Sequence, residues 1–159
     1  MKLRVEVVAL DCLMVRLFDE IAEANMPWML AASESLRAAF AGHLIDLVPS
    51  YTTLMVHYDL TALSPAQARE LIAEALIDLS PNACTRGKCH VLPVWYDLSV
   101  GPELSLLSQL SGLAVDEVIR RHSEREYQVF ALGFAPGFAF MGLVEEALAA
   151  PRLNTPRKK

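Results

Sequence analysis

The chain has 159 residues, of which 53% are apolar and 21% charged, and its net charge is −5. So much aliphatic material supplies a packed core and excludes a disordered chain. The acidic balance argues against a nucleic-acid binder, which needs a basic face to displace counterions, and no apolar run reaches the roughly 20 residues of a membrane span.

The opening Met1-Lys2-Leu3-Arg4-Val5-Glu6 is charged and alternating, without the apolar core of a signal peptide, so the expected setting is the cytoplasm. Leu3 to Val8 and Leu13 to Leu17 read as short strands with Asp11 near the turn between them. Asn25 before Met26-Pro27 predicts a helix start, and Trp28, Ala32, Leu36 and Phe40 follow at helical spacing up to Gly42, a C-terminal cap. Two more strands are expected, Leu44 to Val48 and Thr52 to Tyr58. Ser64-Pro65-Ala66-Gln67 is a capping box with proline in the first turn, and Ala68, Leu71, Ile72, Ala75 and Leu79 form the stripe behind it. This order predicts an α+β sandwich, an antiparallel sheet with helices on one face. Polar residues 82–88 mark a domain boundary.

In the second half His90 to Trp95 reads as a strand. Gly101-Pro102-Glu103 opens a short helix with Leu104, Leu107 and Leu110 inward and Gly112 as its stop. Val115 to about Arg121 is a further helix, and Tyr127 to Leu132 an apolar strand. The pattern then breaks at Gly133-Phe134-Ala135-Pro136-Gly137-Phe138. Two glycines and a proline there permit close backbone approach, and two phenylalanines supply apolar walls. The stretch is either a ligand loop or a tight turn whose aromatics fill the core. It lacks the lysine and serine or threonine of a phosphate-binding P-loop.

Four histidines are present: His43, His57, His90 and His122. The first two fall in or beside strands. His122 ends a helix, where a cation gains from the dipole, and it is the candidate acid/base. Arg152 and Arg157 each follow a proline and are candidate anion binders. Cys12 lies in an apolar run and reads as a buried small hydrophobe. Cys84 and Cys89 with His90 lack the paired spacing of a zinc site, and no metal is expected there.

In order along the chain stand Gly101-Pro102-Glu103-Leu104, Gly112-Leu113, Glu117-Val118-Ile119, His122, Tyr127, Gly133-Phe134, Pro136-Gly137-Phe138, Pro151-Arg152 and Pro156-Arg157. Val48-Pro49-Ser50-Tyr51, Tyr58-Asp59 and Leu92-Pro93-Val94 precede them. This series resembles the signature of the 5-oxoprolinase B-subunit family, built on carboxyltransferase subdomains C and D. That family also takes in allophanate hydrolase subunit 1 and the KipI-like sporulation-kinase inhibitor. The resemblance implies a small N-terminal α+β domain over 1–84 and the first part of a cyclophilin-like β-barrel over 88–159.

It further implies a non-autonomous component of an enzyme that cleaves 5-oxo-L-proline to L-glutamate at the expense of ATP. The partners would be the larger, carboxyltransferase-like C component of 5-oxoprolinase and its lactam-cleaving A component. ATP would be used by the complex rather than bound by this chain alone. In that setting Gly133, Phe134, Pro136, Gly137 and Phe138 would form a site wall, Arg152 and Arg157 would hold an anion, and His122 would move a proton. Docking on a histidine kinase is the rival reading, and the carboxyltransferase part of a urea amidolyase the third. Two departures stand out: Leu10-Asp11 replaces the glycine-aspartate turn usual near the start, and Ala114 replaces a helix-capping serine. Relatives continue past Pro156-Arg157 into further barrel strands, so the chain is expected to be a fragment.

Overall fold

A computed structural model describes residues 3–81, 87–152 and 155. The chain divides into two compact units, Met1–Gly87 with Gln128–Met141, and Lys88–Tyr127 with Gly142–Lys159.

In the first unit β1 (Arg4–Ala9), β2 (Cys12–Arg16), β3 (Leu44–Pro49) and β4 (Thr53–Tyr58) form an antiparallel sheet in the order β1-β2-β4-β3. The two central strands alternate strictly: Leu13, Val15, Leu54, Val56 and Tyr58 are buried, and the residues between them are half-exposed. Side chains on a strand point alternately to opposite faces, so one face of the sheet becomes core. Helices α1 (Met26–Phe40) and α2 (Pro65–Leu76) cover that face with Met29, Ala32, Leu36, Phe40, Ala68, Ile72 and Leu76. Ser35 Oγ on α1 donates to the Ala75 carbonyl on α2 at 2.6 Å.

The capping box forms as expected: Ser64 Oγ accepts from the Gln67 amide at 3.3 Å, and Gln67 Oε1 accepts from the Ser64 amide at 2.9 Å. The other expected cap does not form. Asn25 lies in a 3-10 turn with helical backbone angles, and its Nδ2 instead donates to the Glu20 carbonyl at 2.8 Å. At the far end of α1 it is Ala41 (φ 43°), not Gly42, that takes the positive angle.

Strands β5 (Gln128–Leu132) and β6 (Ala139–Gly142) pair as a two-stranded sheet. Tyr51 packs on this hairpin within the first unit, with ring centroids 5.4 Å from Phe130 and 6.4 Å from Phe140. Among the described residues the strands of the second half make only this sheet, not a closed barrel.

The second unit contains α3 (Leu104–Ser111), ended by Gly112 at φ 70°, and α4 (Val115–Glu124). Its core is small: Leu104, Val118 and Leu148 are buried, with Tyr96, Leu107, Leu113, Val115 and Ile119 packed around them. Leu110, expected inward, is 57% exposed. The expected strand from His90 to Trp95 is also absent. That stretch has no regular structure, and Val91 and Trp95 are 92% and 75% exposed. β-prone residues need a ladder partner, and Pro93 lacks the N–H with which to join one.

The core and the cap make separable contributions to the first unit. Ile72→Ala should cost about 2–5 kcal/mol through the cavity it leaves. Ser64→Ala should cost only about 1 kcal/mol, the worth of one cap. Denaturant melts of the two variants check this, and equal losses would mean that α2 is not held by its apolar stripe.

Candidate functional site

Helix α4 is laid out for its dipole, with Asp116 and Glu117 in the first turn and Arg121 and His122 in the last. Ala114 occupies its N-cap without any side-chain bond, as the serine-to-alanine departure leads one to expect. Ion pairs supply what the cap does not. Glu117 accepts from Arg120 Nη2 at 2.7 Å and Nε at 2.8 Å, and from Arg121 Nε at 2.7 Å. Arg120 Nη1 reaches Glu124 at 2.7 Å, while Arg121 Nη1 reaches Glu145 at 2.6 Å. The last of these ties α4 to the 3-10 turn Glu146–Leu148, whose Leu148 belongs to the small core.

His122 stands at the end of this braced helix. Its Nδ1 lies 2.5 Å from the Tyr96 hydroxyl, and its ring is flanked by Tyr96 and Tyr127 at centroid distances of 5.8 and 5.4 Å. Burial pushes both tyrosine hydroxyls above the usual phenol range, so both keep their protons at neutral pH. The Tyr96 hydroxyl can donate to a bare Nδ1 or accept from Nδ1–H, and in both cases it orients the ring and leaves Nε2 as the open nitrogen. The Tyr127 hydroxyl is enclosed and has no hydrogen-bond partner among the described residues. Sequence spacing did not single out Tyr96 or the ring cage; they follow from the packing of 96, 122 and 127 in three separate segments.

The Gly133–Phe138 loop is the turn between β5 and β6, closed by the Gly133 amide on the Phe138 carbonyl at 3.1 Å and the Phe138 amide on the Ala135 carbonyl at 3.0 Å. Phe134 at φ 65° and Gly137 at φ 78° both take left-handed angles. The loop aromatics do not fill the core: Phe134 is 94% exposed and Phe138 half-exposed, and the buried ring of the hairpin is Phe130. Phe134, Phe138 and Phe140 nevertheless form an edge-to-face series at 5.7 and 5.0 Å. Pro136 is exposed in the turn. The structure thus places the loop in the first unit and His122 in the second. Arg152 is exposed and belongs to the second unit; Arg157 and Cys84 lie outside the described residues. Cys89 and His90 are exposed in irregular backbone.

A second cluster is one that sequence reading missed. Asp11, Cys12 and His57 bring a carboxylate oxygen, a sulfur and a ring nitrogen within 4.8 Å of one another, and His57 Nε2 lies 3.1 Å from Asp11 Oδ2. Cys12 is half-exposed rather than buried. Backbone hydrogen bonding, followed by the bond from His57, holds the Asp11 carboxyl below the usual range, while desolvation pushes the Cys12 thiol up, helped by the nearby Asp11 charge.

The elements of the two units define an α+β protein. The family model for the carboxyltransferase domain, subdomain C and D, matches residues 3–159, and the chain belongs to that family. It is 29% identical, over 97% of its length, to the 5-oxoprolinase B subunit of Bacillus subtilis (strain 168), of which it covers 68%. It is 41% identical over 42% of its length to the 5-oxoprolinase B subunit of Escherichia coli O157:H7, covering 30% of that protein. The crystal structure of TTHA0988 superposes on 92% of the chain with a TM-score of 0.72 and 33% identity, and the chain spans 28% of that molecule. No described helix is long and apolar enough to cross a membrane.

The ion-pair network around α4 makes an acid-sensitive prediction. The Arg120 and Arg121 guanidinium groups hold the Glu117 carboxyl at about 2, against an ordinary value of 4.5. Because the folded-state value is depressed, the stabilisation is complete above pH 4.5 and is lost as pH falls through about 2. Thermal melts of the wild type should therefore weaken across that window, and Glu117→Gln should flatten the acid limb while lowering stability at neutral pH. An unchanged acid limb in the variant would show that the bonds to Glu117 contribute nothing to folding.

Proposed function

We propose that this chain is part of the B subunit of a 5-oxoprolinase-type enzyme, working with the A and C components of such an enzyme to open 5-oxo-L-proline to L-glutamate with consumption of ATP. The observation that carries this reading is the likeness, over 97% of the chain, to a protein named as the B subunit of 5-oxoprolinase. The geometry around His122 gives the reading its chemistry. Hydrolysis of the lactam adds water to the ring carbonyl, breaks the C–N bond and leaves an amine that must gain a proton. The imidazolium, its Nδ1–H held by the Tyr96 oxygen, would hand the Nε2 proton to the departing nitrogen and return to neutral imidazole, and the proton released by the attacking water would recharge it. Tyr96 is then a positioning residue that orients the ring. Arg152 and Arg157 would hold the substrate carboxylate, a planar anion suited to a guanidinium fork. In the first unit, Gly133, Phe134, Pro136, Gly137 and Phe138 would give an apolar wall. ATP would be used by the complex rather than bound by this chain alone.

The test is ATP-dependent release of glutamate from 5-oxoproline by the protein mixed with its two partner components, with omission of this chain as control. Activity should disappear in the control. His122→Ala should lower kcat about 100-fold or more, whereas Tyr96→Phe should change the pH profile with a smaller loss. A complete mixture that releases no glutamate would overturn the assignment, and capture of a histidine kinase by the same protein would replace it with the inhibitor reading.

A further inference from the structure

The Asp11–Cys12–His57 cluster sits in the first unit and plays no part in the chemistry proposed for His122. We propose that these three side chains form a binding site for a single divalent transition-metal ion of the zinc and cobalt class.

Two observations carry the proposal. The first is the framework. Cys12 and His57 are register partners on the paired central strands β2 and β4, so their side chains stand side by side on the face of the sheet away from the core. Asp11 is the residue just before β2, and its position is fixed from the inside. Tyr58 is fully buried, its amide donates to the Asp11 carbonyl at 3.0 Å, and its hydroxyl donates to the Leu10 carbonyl at 2.8 Å. The turn bearing the carboxylate is therefore locked to the strand bearing the imidazole. Much of the ordering entropy is lost on folding, before any ion arrives.

The second is the donor set. One sulfur, one imidazole nitrogen and one carboxylate oxygen lie within 4.8 Å of one another, so small side-chain rotations bring all three onto a common centre. Calcium and magnesium select all-oxygen sites. A mixed sulfur, nitrogen and oxygen set suits zinc, and three protein ligands leave a fourth position for water. All three residues are half-exposed, so that fourth position opens to solvent.

Without an ion the three groups still pair, since the Asp11 carboxylate meets His57 and accepts from the Cys12 thiol, so a metal has to displace these partly exposed bonds.

Cobalt(II) is the probe, added to the protein in which Cys84→Ser and Cys89→Ser remove the other two thiols. A thiolate-to-cobalt charge-transfer band should appear, saturate at a single site and vanish on addition of zinc. Cys12→Ser should abolish the band, and His57→Gln and Asp11→Asn should each weaken cobalt binding about 10-fold or more. Absence of the band, or a band that survives Cys12→Ser, overturns the proposal, as does unchanged affinity in both His57→Gln and Asp11→Asn. Unsubstituted protein gives a check independent of variant folding. Zinc should slow alkylation of Cys12, read by peptide mass, about 10-fold or more, and an unchanged rate counts against the site.

Discussion

Everything in the first unit depends on the alternation along β2 and β4. Leu13 and Val15 face the same side as Leu54, Val56 and Tyr58, and that side is sealed by α1 and α2. A one-residue shift of β2 would turn Leu13 and Val15 to water and Cys12 and Met14 to the core, and the same shift of β4 would expose Leu54, Val56 and Tyr58 and bury Met55 and His57. Burial of one face thus fixes the register. The register in turn decides what the other face presents: Cys12 beside His57, and Met14 beside Met55. The outer cluster is a by-product of the inner core, held in place by hydrophobic burial rather than by its own bonds.

The second unit rests on different terms. With Leu104, Val118 and Leu148 as its buried residues, it has little apolar area with which to hold a site. Its order comes instead from a chain of charges, Glu124–Arg120–Glu117–Arg121–Glu145, that braces α4 along one side and links it to the turn carrying Leu148. Individually such exposed pairs contribute little, but a network with bidentate arginine geometry holds a helix more firmly. Tyr96 joins the two kinds of support, since its ring packs on the small core and its hydroxyl meets His122.

What the sequence disclosed followed the range of the interactions. The capping box at Ser64 and Gln67 and the stop at Gly112 are local and appear as read, and the stripe of α2 does so in part, since the helix ends at the buried Leu76 and Leu79 packs beyond it. Asn25 misled because a good capping residue has a competing use: its side-chain amide is taken by the Glu20 carbonyl five residues back. The stretch from His90 to Trp95 has β-prone composition, yet composition cannot supply a partner strand. Among the described residues the Asp11 and His57 side chains meet across 46 positions, and Tyr96 and His122 across 26. No short window along the chain contains either pair, so both clusters were invisible until the strands were in register and α4 was packed.

The exposure of His122 bears on why such a chain would act as one component of a complex. An imidazole open to water competes with solvent for every proton it offers, and its hydrogen bonds are weakened by the high dielectric around it. General-acid catalysis gains most where water is excluded and the leaving atom is held within bonding distance. Tyr96 and Tyr127 wall off the ring, and Tyr96 fixes one nitrogen, but the other nitrogen still needs a cover that these residues do not supply. On the reading proposed above, that cover is a partner protein closing over the substrate. On that reading the histidine would be well oriented yet inactive alone, with the chain supplying orientation and the partner a dry site. The aromatic series from Phe134 to Phe140 fits the same logic, because exposed rings are least unfavourable when another surface buries them.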